Sequence, residues 1–166
     1  MERPLHAHVD VDVRFDDAIE LLSTVPEQVL QEATGRGGES DAEIIAALHA
    51  RVAGITFSRD IVIEVDPPQH VEALRTVVPL RWRAASAETL FPTVEAKLEI
   101  QALSMYPPRI QLTLTGTYDP PLGTAGDVID RVLIHRLAAN VVEDFLAAVA
   151  ERLERATSEV PLTSDI

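Results

Sequence analysis

His6, His8 and Asp10 recur at every second position in the stretch HAHVDVDVRF. In an extended chain they share one face, and imidazole and carboxylate are side chains that zinc accepts. Their neighbours Val9, Val11, Val13 and Phe15 take the opposite side. The trio therefore falls on the polar side of a half-buried strand from His8 to Phe15, where solvated side chains are the simpler reading and no metal site is expected. Three other residues are the polar groups a proton-moving reaction could draw on. His135 lies on the flank of a long helical pattern, Arg131 one turn before it, and Tyr118 at the end of an alternating run. They are the candidate catalytic residues, although a semi-buried structural histidine is the plainer reading of His135. His49 and His70 show no partner in the sequence. Glu95 and Glu99 fall on the polar face of a strand, and Glu143, Asp144, Glu151 and Glu154 on the charged part of a helix, so no carboxylate pair converges. Gly35-Arg36-Gly37-Gly38 lacks the Gly-Lys-Ser/Thr ending of a phosphate loop, and no Gly-x-Ser-x-Gly elbow is present. No cofactor is expected.

Elements must position these groups, and the composition bounds what they can build. The chain has 166 residues, 46% of them hydrophobic, which suits a single packed domain over 1–157 with a loose tail over 158–166. Cysteine is absent, which excludes disulfides and thiolate metal sites and fits a reducing, cytoplasmic setting. The N-terminus carries no apolar run of signal-peptide length, and no window is long and uncharged enough to span a membrane. Fourteen basic side chains against 27 acidic ones give a net charge of −13, which repels phosphate backbones. With aromatics at only 4%, nucleic-acid binding is not expected.

Asp16 and Asp17 open a short helix over AIELL, Thr24 precedes a second over PEQVLQEA, and Ser40 with Glu43 has capping-box spacing ahead of a third over IIAALHARV. The middle of the chain alternates at period two. Ile61, Ile63 and Val65 share a face; so do Val78, Leu80, Trp82 and Ala84, with Arg81 and Arg83 opposite. Pro79 in that run points to an edge or a bulge. Val94, Ala96, Leu98, Ile100 and Ala102 alternate with Glu95, Lys97, Glu99 and Gln101. After a hairpin loop over Ser104 to Arg109, Ile110, Leu112, Leu114, Gly116 and Tyr118 form the next one-sided strand. Strands with one apolar face form an antiparallel sheet that needs a cover.

The cover is a helix from about Gly126 to Arg155, with Thr124 and Asp127 as capping residues. Ile134, Ala138, Val141, Phe145 and Val149 fall in one arc of its surface, flanked by Leu137 and Val142. Leu133, Leu137 and Leu146 widen that coverage and leave room for a homodimer contact. Ala84, Ala96, Ala102, Gly116 and Ala138 are small and leave space between helix and sheet. An empty apolar void of about 300 Å³ costs roughly 7 kcal/mol, so such space is filled by side chains, water or a ligand.

This order of elements, with Leu90-Phe91-Pro92 and Gly116-Thr117-Tyr118-Asp119-Pro120-Pro121-Leu122-Gly123 before the long helix, resembles the START-like or SRPBCC superfamily, and within it uncharacterised bacterial members similar to polyketide cyclases and lipid-transport proteins. The resemblance covers residues 50 to 155 well and the N-terminal third by element order only. It implies an α+β helix-grip fold, a curved antiparallel sheet wrapped around a long C-terminal helix. It also implies a cavity for a small, largely hydrophobic molecule such as a lipid, polyketide or isoprenoid-like compound. Trp82, Phe91, Leu98, Ile100, Leu112, Leu114, Tyr118, Ile134, Ala138, Val141 and Phe145 are the expected lining. Trp82 and Tyr118 could each add a hydrogen bond. Two alternatives stand beside binding: a cyclase- or dehydratase-like enzyme using His135, Tyr118 or Arg131, and an interaction module or homodimer without a small ligand.

Overall fold

The computed structural model describes residues 2–24, 43–52, 55–84, 93–119 and 131–158; within these, the side chains of 24, 43–52, 55–62, 82–84, 93, 119, 131–138 and 141 are not described. The elements are β1 (Arg3–Val11), α1 (Phe15–Thr24), β2 (Glu43–Val52), β3 (Ile55–Val65), β4 (Gln69–Glu72), β5 (Arg75–Ala84), β6 (Thr93–Met105), β7 (Pro108–Asp119) and α2 (Arg131–Ser158). The strands form one seven-stranded sheet in the order β1-β7-β6-β5-β3-β2, with β4 beside β5. Every pairing is antiparallel.

Register explains the two-faced sequence. Leu5, Gly116, Ala96, Leu80 and Val65 lie in one row across five strands, and Ala7, Leu114, Leu98 and Val78 in the next. These rows face inward: Leu5, Leu80, Leu98 and Leu114 are all buried. Outward neighbours such as Glu95, Lys97 and Thr115 are exposed. A one-residue slip in any pairing would turn a strand's apolar set to water, so the alternation itself specifies the register.

The helix α2 supplies the cover. At about 1.5 Å per residue its 28 residues span roughly 42 Å. Val142, Phe145, Leu146, Val149, Ala150 and Leu153 are buried, at spacings of three and four. The helix packs on β1 and β7 and also on β2, which is the opposite edge of the sheet. A sheet whose two edges both meet one helix has curled around it. α1 buries Phe15, Ala18 and Leu22 and packs on β6, β7 and α2.

Two expectations need correction. Residues 43–52 form strand β2, not a third helix. Ile44, Ile45, Leu48 and Val52 fit a helical stripe, but Ile44, Ala46, Leu48, Ala50 and Val52 also alternate. Ten consecutive partners on β3, with only Ala53 and Gly54 between the strands, decide it for the strand. The first strand starts at Arg3 and ends at Val11; Val13 and Phe15 are buried, but beyond the strand and at the start of α1. The short strand β4 was not anticipated, because QHVE is too brief to show a period. The expected second helix, the Gly35–Gly38 loop, the Thr124 and Asp127 caps and the tail from 159 lie outside the described residues.

Pro79 sits where its missing N–H costs nothing. Val65 pairs Leu80 on one side of it and Gln69 pairs Val77 on the other, so Pro79 faces the corner between β3 and β4. Its carbonyl accepts from the Asp66 amide at 3.0 Å. In an antiparallel strand a residue's N and O point to the same neighbour, so the absent donor falls at that corner and not in the β6 ladder.

Candidate functional site between sheet and helix

The inner rows end in a polar pair. Arg3 on β1 is the direct register partner of Tyr118 on β7, and Tyr118 in turn faces Val94 on β6. Arg3 continues the inward series Val11, Val9, Ala7 and Leu5 by two residues, so its side chain starts on the apolar face. It is half-buried, while Tyr118 is 1% exposed. Burial pushes the Tyr118 phenol above its ordinary pKa; the charge of Arg3 and a hydrogen bond from its guanidinium draw it partly back. Among the described residues, Arg3 has this phenol as its polar partner and no carboxylate in ion-pair reach. A guanidinium in this position can offer its remaining N–H donors to an acidic or strongly polar group.

Extending the period-two pattern back from Val9 would have found Arg3, since Arg3, Leu5 and Ala7 keep the alternation. A strand taken only from His8 onward leaves Arg3 outside it.

Of the expected lining, Leu98, Ile100, Leu112, Leu114, Tyr118 and Phe145 come together in one buried cluster, each no more than 1% exposed. The backbone of Trp82 lies in the same row as Tyr118, between Val94 and Ile63. The side chains of Trp82, Arg131, Ile134, His135, Ala138 and Val141, and all of Phe91, lie outside the described residues. Leu146, one of the residues read as room for a dimer contact, is buried in the core.

Gly116 lies close against β6 at Ala96. A Cβ added at Gly116 would meet the Glu95 carbonyl oxygen and lie 2.8 Å from both Cα and Cβ of Ala96. Only glycine fits there.

On the polar face the His6, His8 and Asp10 side chains stand apart. His6 and His8 are exposed with ring centroids 6.0 Å apart, and Asp10 accepts a hydrogen bond from Gln111 at 3.1 Å. Among the described residues no group of three metal-ligating side chains converges. His70 does have a partner: its Nδ1 is hydrogen-bonded to Thr76 Oγ1 at 3.0 Å, which satisfies the buried threonine. An open trough of about 560 Å³ crosses this outer face over the backbone of Leu5, Gly116, Ala96 and Leu80. Its charged wall is already stitched, Arg81 lying 3.6 Å from Glu64 and 3.4 Å from Glu95. It lies on the opposite face from the space expected to hold a ligand.

Seven strands curled around one long C-terminal helix, with a short helix after the first strand, decide the architecture. The chain has the helix-grip fold. Solved structures of this fold match it over nearly the whole length. The Zhui aromatase/cyclase from Streptomyces sp. R1128 is 20% identical with a TM-score of 0.53, covering 95% of this chain and 96% of its own. A truncated norcoclaurine synthase from Thalictrum flavum is 13% identical with a TM-score of 0.54, covering 96% of each chain. A START superfamily protein from Mycobacterium smegmatis is 12% identical with a TM-score of 0.53, covering 92% of this chain and 98% of its own. No protein-family model matches the chain, and no curated protein does. Identities this low establish the helix-grip fold and leave activity to the site. No helix among the described residues is long and apolar enough to cross a membrane.

Proposed function

We propose that this helix-grip chain binds a small, largely hydrophobic molecule between the sheet and the N-terminal half of α2, with an acidic or polar head against Arg3. The observation that supports the reading is the Arg3–Tyr118 pair: a half-buried cation with no carboxylate partner among the described residues, at the end of an otherwise apolar inner face. The buried cluster of Leu98, Leu114 and Phe145 would form the wall behind the apolar body of the ligand. Burial of that body supplies the affinity, and the guanidinium sets its orientation.

A cyclase-like reaction is the weaker reading. It needs a proton acceptor in the site, and Tyr118, with its pKa raised by burial, stays protonated near neutral pH and acts in hydrogen bonding, not as a base. The test is binding of amphipathic acids compared with their neutral esters. The reading expects the acids to bind more tightly and Arg3→Met to remove the difference; equal affinity in the wild type would contradict it.

A further inference from the structure

All five large hydrophobic side chains that stand exposed among the described residues gather at one end of the sheet. Val71 and Leu74 belong to the β4–β5 hairpin; Leu103, Met105 and Tyr106 belong to the β6–β7 hairpin. The Ala102 amide donates to the Leu74 carbonyl at 3.1 Å, which joins the two tips side by side. The β6–β7 register shifts between Ala102 and Ser104, leaving Leu103 as an extra, exposed residue. Tyr106, at the turn, is 96% exposed. This end lies opposite Arg3 and Tyr118, since β1 and β7 pair from Arg3–Tyr118 to Val11–Ile110.

We propose that these two tips dock on a zwitterionic lipid surface, with Leu103, Met105 and Tyr106 entering at headgroup level. Three observations select that occupant. The turn offers few free donors: the Tyr106 amide donates to Ser104 Oγ at 3.2 Å, and Pro107 and Pro108 have no N–H. Such a tip strands few donors on leaving water, and its carbonyls can stay at headgroup level. The surrounding charges are nearly balanced. Arg75 pairs with Glu99 and Glu72, and Arg109 with Asp12, so two arginines meet three carboxylates on a chain of net charge −13. The rest of the molecule would repel an anionic bilayer or a second copy, whereas this end repels neither strongly. The patch is also small. Five side chains on two turn tips fall well short of the 20–30 residues per side of a stable protein interface, but suit shallow insertion, for which tyrosine is favoured at the water boundary.

The proposal stands independently of any ligand between sheet and helix. The test is flotation of the full chain with phosphatidylcholine vesicles. Wild-type protein is expected to float, and M105S/Y106S to lose at least about fivefold in the floated fraction; both side chains are exposed, and an unchanged thermal transition would show the fold intact. Because the chain has no cysteine, Tyr106→Cys carries a single environment-sensitive label, expected to shift to the blue on vesicle addition. Wild-type protein that stays unbound, equal flotation of the double variant, or binding that strengthens when phosphatidylserine is added would overturn the proposal. So would a dimer in sedimentation that the double variant breaks without any vesicle binding.

Discussion

Arg3 and Tyr118 face each other across β1 and β7 on the inner side of the sheet, the guanidinium bonded to a phenol that is almost wholly buried. Their opposite effects on one titration make the pair measurable. Burial raises the Tyr118 pKa above the ordinary value of 10.0, and Arg3 lowers it by charge and hydrogen bond. The stability of the neutral, buried phenol is therefore present below the ordinary tyrosine pKa and is lost as pH rises through the higher folded value. Spectrophotometric titration should show a late-ionising tyrosine that Tyr118→Phe removes. Arg3→Met should delay that ionisation further. A Tyr118 that ionises at or below the ordinary value would refute the burial assigned to it.

Gly116 is fixed by its neighbours on β6. In Gly116→Ala the new methyl meets backbone at Glu95 and Ala96, which cannot swing away as a side chain can. The variant should lose about 1–3 kcal/mol, read as a lower urea midpoint at unchanged slope. A neutral substitution would mean that the two strands are further apart than described.

Phe145 is fully buried where α2 meets the sheet. Phe145→Ala should cost about 3–5 kcal/mol in chemical denaturation. A loss below about 1 kcal/mol would show that helix and sheet do not pack there.

Arg81 offers the contrast. Its side chain is 56% exposed, and its contacts with Glu64 and Glu95 are 3.6 and 3.4 Å long. Arg81→Ala should change stability by about 1 kcal/mol or less, and by less still at high salt.

The sheet was legible because each apolar face repeats at period two. Val94 to Ala102 and Ile110 to Tyr118 alternate without interruption, and the register pairs those same rows. The long helix was legible from Phe145, Val149 and their neighbours. Residues 43–52 misled because Ile44, Leu48 and Val52 satisfy both periods, and only the pairing with β3 separates them. The site was half legible. Tyr118 carries an aromatic, polar-tipped signal of its own, whereas an arginine three residues from the chain start reads as a solvated terminus until its strand partner is known. The apolar tips gave no periodic signal, since Leu103 and Met105 follow a register shift.

Native mass spectrometry of gently purified protein, beside a denatured sample, tests the central claim most directly. The account predicts an added small-molecule mass that disappears on denaturation, is displaced by amphipathic acids, and is reduced in Arg3→Met. A clean apo mass, together with no saturable binding of amphipathic acids by the folded wild-type chain, would contradict it.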